Sequence, residues 1–143
     1  MNYNELYDLA LKTAIKAHEG QKDKSGRDYI MHPIRVSERC KGLKAKIVGL
    51  LHDTIEDTNV TPDYLRNLGF PKEIIDGILS VTRLNGESYD DFIRRAGESR
   101  IGKEVKLADL EDNLNVCRLN EITDNDVLRM RKYLKAWQHL ANI

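Results

Sequence analysis

The chain has 143 residues, with 23 Lys and Arg against 23 Asp and Glu and a formal net charge of zero. That length suits one domain, 1–143, able to bury a core without help from disulfides or metals. Charge balance argues against a nucleic-acid surface. Cys40 and Cys117 are too few for a disulfide scaffold, and no apolar signal or spanning segment is present, so a cytoplasmic protein is expected.

The predicted elements are all helical. Leu6, Leu9, Ala10, Thr13, Ala14 and Ala17 repeat at helical spacing from about residue 4, and Gly20 marks a stop. A polar, irregular stretch follows, 21–31. Pro33 suits the first position of a short helix that runs to about Lys41, ahead of Gly42. Residues 43–56 form the next helix. Thr61-Pro62 opens another that Gly69 closes, and Pro71 opens one through about Thr82. Ser88-Tyr-Asp-Asp91 and Thr123-Asp-Asn-Asp126 have capping-box spacing and start helices to about Ala96 and Leu140. Between them lies a helical stretch of about 102–119. No alternating strand pattern or repeat occurs, so an all-α domain of roughly eight helices is expected.

Charge is not spread evenly along these elements. Residues 1–48 hold ten basic and six acidic side chains, 49–93 three and nine, and 94–143 ten and eight. The acidic middle holds the most pointed pattern. On a wheel of about 100° per residue, helix 43–56 has one apolar arc and a second arc carrying His52, Asp53, Glu56 and Asp57 beside Ala45 and Gly49. A water-facing stripe is the simplest reading. Small residues, however, point to a helix packed closely there, since mid-helix Gly costs about 1 kcal/mol against Ala. Carboxylates that face protein need a cation.

Helix 102–119 is apolar nearly all round, which places Asp109 and Asn113, one turn apart, in or near the interior. A buried carboxylate needs a partner; a salt bridge from Lys106 or an Arg is one solution and a metal is the other. His32, before Pro33, reads alone as a helix-entry residue. Joined to His52, Asp53 and Asp109 it makes a two-histidine, two-carboxylate set, which suits a divalent ion such as Mn²⁺. His18 is a C-cap or a substrate contact, and His139 a surface residue. Tyr3, Tyr7, Tyr133 and Trp137 are expected to pack the terminal helices into the core instead of forming a partner surface.

These residues carry a resemblance. His32, the adjacent His52-Asp53 and the distant Asp109 match the His…His-Asp…Asp pattern of the HD superfamily of metal-dependent phosphohydrolases. Ala17-His-Glu-Gly-Gln21, Lys24-Ser-Gly26, Tyr29-Ile-Met-His-Pro33, Leu51-His-Asp-Thr-Ile-Glu-Asp-Thr58 and Lys106-Leu-Ala-Asp109 resemble, in order, the hydrolase domain of RelA/SpoT-type alarmone enzymes, above all the small stand-alone ones. The resemblance implies an all-α HD domain that binds Mn²⁺ through His32, His52, Asp53 and Asp109. It further implies removal of the 3′-pyrophosphate of guanosine 3′,5′-bis(diphosphate), with Glu56 as general base and Asp57 orienting the water or handling the leaving-group proton. Lys22, Lys24, Ser25 and Arg27 are then placed toward phosphates and Asn113 toward the ribose.

Three positions depart from the family pattern. Asp23 stands where a basic residue commonly packs on the base, Asp28 replaces a Pro, and Leu110-Glu111-Asp112 replaces Arg-x-His. They leave open an HD phosphohydrolase for another nucleotide or phosphate ester, or a non-catalytic nucleotide sensor. A bifunctional enzyme would exceed this length. The expected partner is a small nucleotide, with no nucleic acid or membrane; oligomeric state is not legible.

Overall fold

Side-chain caps set most of the helix starts. In the computed structural model, which describes residues 1–143, Asn2 accepts from the Glu5 amide while Glu5 reaches back to the Asn2 amide, opening α1 (Tyr3–Ala17). Thr61 and Pro62 start α5 (Pro62–Leu68), which Gly69 ends in the left-handed conformation at φ 111°. The reciprocal cap of Thr123 and Asp126 starts α9 (Asp124–Ala141). Ser88 caps α7 (Tyr89–Glu98) and Ser99 caps α8 (Arg100–Asn113). The remaining helices are α2 (Met31–Arg39), α3 (Leu43–Leu51), the single turn α4 (Thr54–Asp57) and α6 (Lys72–Ser80). No strand is present beyond one isolated bridge, Lys22 to Asp28. Eight helices longer than one turn match the expected all-α fold, and no helix is long and apolar enough to cross a membrane.

Three boundaries differ from expectation. Residues 43–56 are not one helix: the chain turns at His52 and Asp53. His52 Nδ1 takes the Gly49 carbonyl at 2.6 Å and Thr54 Oγ1 takes that of Leu51 at 2.8 Å. These side chains satisfy carbonyls that a continuing helix would use, which is how α3 ends. Helix 102–119 stops at Asn113, where Asn115 accepts from the Cys117 amide and turns the chain into a short 3-10 segment, Val116–Arg118. Pro33 lies third in α2, not first.

Two apolar clusters result. The larger has 19 buried residues, centred on α3, whose Ile47, Val48, Leu50 and Leu51 are wholly buried among α1, α2, α6 and α8. The smaller has five, Phe92, Ile93, Leu110, Ala136 and Leu140, where α9 packs on α7 and α8. Tyr3 and Tyr7 pack on the first, Tyr133 and Trp137 on the second.

Ala45 and Gly49 are both buried, as the small-residue argument required. A Cβ on Gly49 would lie 3.2 Å from Ser37 Cα and 3.3 Å from its nitrogen, so this glycine sets the approach of α3 to α2. Backbone cannot swing aside as a side chain can. Gly49→Ala is therefore expected to lose up to about 2 kcal/mol in a thermal melt, overpacking of about 1–3 kcal/mol outweighing the propensity gain of about 1 kcal/mol.

Candidate metal centre and cleft

Three elements bring one polar cluster together inside this frame. The first turn of α2 presents His32, the turn after α3 presents His52 and Asp53, and the centre of α8 presents Asp109. His32 Nε2 lies 2.9 Å from Asp109 Oδ1 and 3.7 Å from Asp53 Oδ2. His52 Nε2 lies 3.1 Å from Asp53 Oδ2 and 3.4 Å from Asp109 Oδ1. The two imidazoles meet edge-on, ring centres 5.2 Å apart. His32, His52 and Asp109 are buried and keep one donor atom each within 4.8 Å of the others, a possible metal site.

The donor chemistry fits a divalent ion. Neighbouring ligands of an octahedral ion with bonds of about 2.1 Å stand roughly 3 Å apart, close to these separations. His52 Nδ1 is engaged by Gly49 O, and His52 Nε2 is buried with no hydrogen-bond partner of its own. A buried polar atom without a partner is rare in a folded protein, and a bound ion is one group that would satisfy it. His32 Nδ1 is likewise held, by Asp112 Oδ2 at 2.7 Å, which leaves Nε2 for the cluster.

The electrostatics follow from crowding. Burial works against charge on both imidazoles, yet hydrogen bonds to Asp109 and Asp112 lift His32, and Asp53 and Asp109 lift His52 well above the ordinary histidine value. Burial likewise opposes ionisation of Asp109, but Lys106 and His52 hold it well below the usual carboxylate range. Lys106 Nζ reaches Asp109 Oδ2 at 2.9 Å and sits 4.9 Å from the Phe92 ring centre. The salt bridge read as an alternative to a metal thus occupies one carboxylate oxygen and leaves the other facing the histidines. Asn113 Nδ2 donates to that same Oδ1 at 3.1 Å.

Glu56 and Asp57 lie on α4, both exposed. Glu56 Oε1 accepts from the Arg83 amide at 2.8 Å, which ties α4 to the turn after α6. The Asp57 carbonyl accepts from Gln21 Nε2, and Gln21 Oε1 contacts Nδ1 of the buried His18, the C-cap of α1. Partial burial, with Asp53 and Glu56 nearby, raises the Asp57 carboxyl to about 6.

A cleft of about 300 Å³ opens beside His32. Lys22, Lys24, Ser25 and Asn113 line it, whereas Arg27 is exposed and lies outside its lining. Its cations are already paired. Lys22 meets Asp28, while Lys24 and Arg129 both meet Asp126. Asp23, at the position where the resemblance expects a cation, organises the loop. Its Oδ1 accepts from the Ser25 and Arg27 amides at 2.8 and 3.0 Å.

Several residues of the site had no role assigned from sequence. Tyr29 donates to Asp53 Oδ2 at 2.5 Å and lies between the rings of His18 and His32. Burial and Asp53 push its phenol upward, so it stays a donor. Asp112, Arg35 and Arg118 form a second layer behind His32. The one available signal was Asp112 standing a turn after Asp109 on an apolar helix.

No family model matches the chain. It is 46% identical, over 96% of its length, to a GTP pyrophosphokinase of Myxococcus xanthus, spanning 20% of that relative. It is 40% identical, over 84% of its length, to a probable guanosine-3′,5′-bis(diphosphate) 3′-pyrophosphohydrolase of Mycoplasma pneumoniae, spanning 18% of that one. These and other curated relatives are much longer, the chain spanning from 12% to 20% of them. A solved structure described as a metazoan ortholog of SpoT that hydrolyzes ppGpp and plays a role in starvation responses aligns at a TM-score of 0.77 and 24% identity. That alignment covers 94% of this chain and 84% of the other, so the fold is shared.

Proposed function

We propose that this chain, an HD-type relative of the alarmone hydrolases, is a cytoplasmic Mn²⁺-dependent enzyme that removes the 3′-pyrophosphate of guanosine 3′,5′-bis(diphosphate) or a close relative. The observation that carries the reading is the cluster of His32, His52, Asp53 and Asp109 around the unpartnered His52 Nε2. An ion held there would supply Lewis-acid polarisation of a phosphoryl oxygen and a more acidic water. Nδ1 of each histidine is already engaged, so each Nε2 would give up its proton and offer its lone pair to an ion at the cluster.

The chain's own groups divide the proton work. Glu56 takes the proton of the attacking water on its carboxylate, its place fixed by the Arg83 amide. Water oxygen bonds to the phosphorus on the 3′ oxygen, and the bond from that phosphorus to the 3′ oxygen breaks. Asp57, raised to about 6, gives its proton to the departing ribose oxygen. Pyrophosphate and a free 3′ hydroxyl result. Lys24, Ser25 and Lys22 face the phosphates from the cleft wall, with Asn113 toward the ribose.

Purified protein loaded with Mn²⁺ is expected to release pyrophosphate from guanosine 3′,5′-bis(diphosphate), to stop on addition of chelator, and to resume when Mn²⁺ is restored. A metal-loaded protein that releases none at high enzyme concentration would falsify the assignment. One observation favours a second reading, an HD phosphohydrolase for another nucleotide or phosphate ester: Asp23 is committed to loop amides and Arg27 lies outside the cleft lining, so neither position offers the cleft a guanidinium for a base. Faster turnover of another phosphate ester in a substrate panel would select that reading.

A further inference from the structure

Asp112 is wholly buried, and nothing in the reaction just described uses it. Its Oδ2 holds His32 Nδ1 at 2.7 Å across 80 residues of sequence, and its Oδ1 takes Arg35 Nε at 2.9 Å. Arg118 closes the third side, donating from Nη2 to the Asp112 carbonyl at 2.8 Å and lying 3.5 Å from Oδ2. An ionised carboxylate can only accept. Asp112 therefore accepts a hydrogen bond from Nδ1–H and leaves Nε2 of His32 directed at the cluster.

Arg118 also meets the phosphate loop. Its carbonyl accepts from Ser25 Oγ at 2.7 Å, and its Nη1 stands 4.0 Å from Oδ2 of Asp23, the residue whose other oxygen holds the Ser25 and Arg27 amides. The path from His32 through Asp112 and Arg118 to Asp23 is continuous. It joins a histidine of the cluster to the loop that carries Lys24 and Ser25. Two buried donors beside Asp112, Arg35 Nη2 and Arg118 Nε, have no partner. The guanidinium groups are thus positioned around Asp112 largely by charge, without full hydrogen-bond satisfaction.

We propose that Asp112 is a positioning residue for the metal centre, setting the tautomer of His32, and that Arg118 couples this anchor to the phosphate loop at 21–28. The inference rests on the metal reading above. It adds that metal occupancy and loop order depend on each other.

Mn²⁺ titration and amide hydrogen exchange, with Mn²⁺ as the only ligand, test it. The native chain is expected to bind one Mn²⁺ and to exchange the Ser25 and Arg27 amides more slowly once it is bound. Asp112→Asn should weaken Mn²⁺ binding about 10–100-fold. Arg118→Gln should keep binding near the native value and lose the Mn²⁺-dependent slowing of those amides. Should Asp112→Asn fail to give a native melt, Arg35→Gln takes its place, with several-fold weaker Mn²⁺ binding expected. Native affinity in the Asp112 or Arg35 variant overturns the anchor, and a native loop response in Arg118→Gln overturns the coupling. A native chain that binds no Mn²⁺ overturns the metal reading itself, a result distinct from intact binding with unresponsive variants.

Discussion

Asp109→Ala is expected to abolish Mn²⁺ binding and to lower pyrophosphate release by about a thousandfold or more, since Lewis-acid stabilisation is worth several kcal/mol. It should also destabilise the fold. Lys106, its side chain 11% exposed, keeps its charge through Asp109 Oδ2 at 2.9 Å. Removing one member of such a buried pair costs about 3–5 kcal/mol because the other is left uncompensated. Lys106→Met added to Asp109→Ala should restore much of the melting temperature without restoring Mn²⁺ binding or turnover. Recovery of activity in the double variant would show that Asp109 serves only to neutralise Lys106.

Asp57→Asn separates proton transfer from metal binding. Its expected effect is a fall in turnover of about 10²–10⁴-fold with Mn²⁺ stoichiometry unchanged. The pH profile carries the sign. Burial, Asp53 and Glu56 raise the Asp57 carboxyl to about 6, so as a proton donor it is loaded below that pH and empty above it. Native turnover should decline as pH rises through about 6, and Asp57→Asn should lose that limb. A limb that runs the other way, falling as pH drops, would make Asp57 an acceptor instead.

Most capped helix ends were legible because they depend on local chemistry. Thr61-Pro62, Ser88, Thr123 and the αL Gly69 each act within a few residues of themselves. The turn at His52-Asp53 was hidden because the apolar arc of α3 continues smoothly through Ile55. What stops the helix is two side chains bonding to Gly49 and Leu51 carbonyls, and periodicity does not register that. The close approach marked by Gly49 could be read, since a mid-helix glycine beside histidine has few other uses. His32, His52 and Asp109 do come together, as their types and order implied. Asp112 could not be read that way: its role depends on Arg35, Arg118 and His32 arriving from three other segments. Tyr29 was visible only as part of a motif, because its hydroxyl contact with Asp53 spans 24 residues.

The two apolar clusters are unequal, and the cleft stands across them. Helix α9 is held by the five-residue cluster on α7 and α8, while His32, His52 and Asp53 are borne by elements of the 19-residue one. Segments with fewer buried contacts open at lower free energy than the rest. On warming, α9 should therefore peel away first and take Arg129, Met130 and Tyr133 of the cleft wall with it. The cleft would lose one wall while His32 and His52 were still seated. Failure would begin at the cleft wall, and the buried polar centre would outlast it.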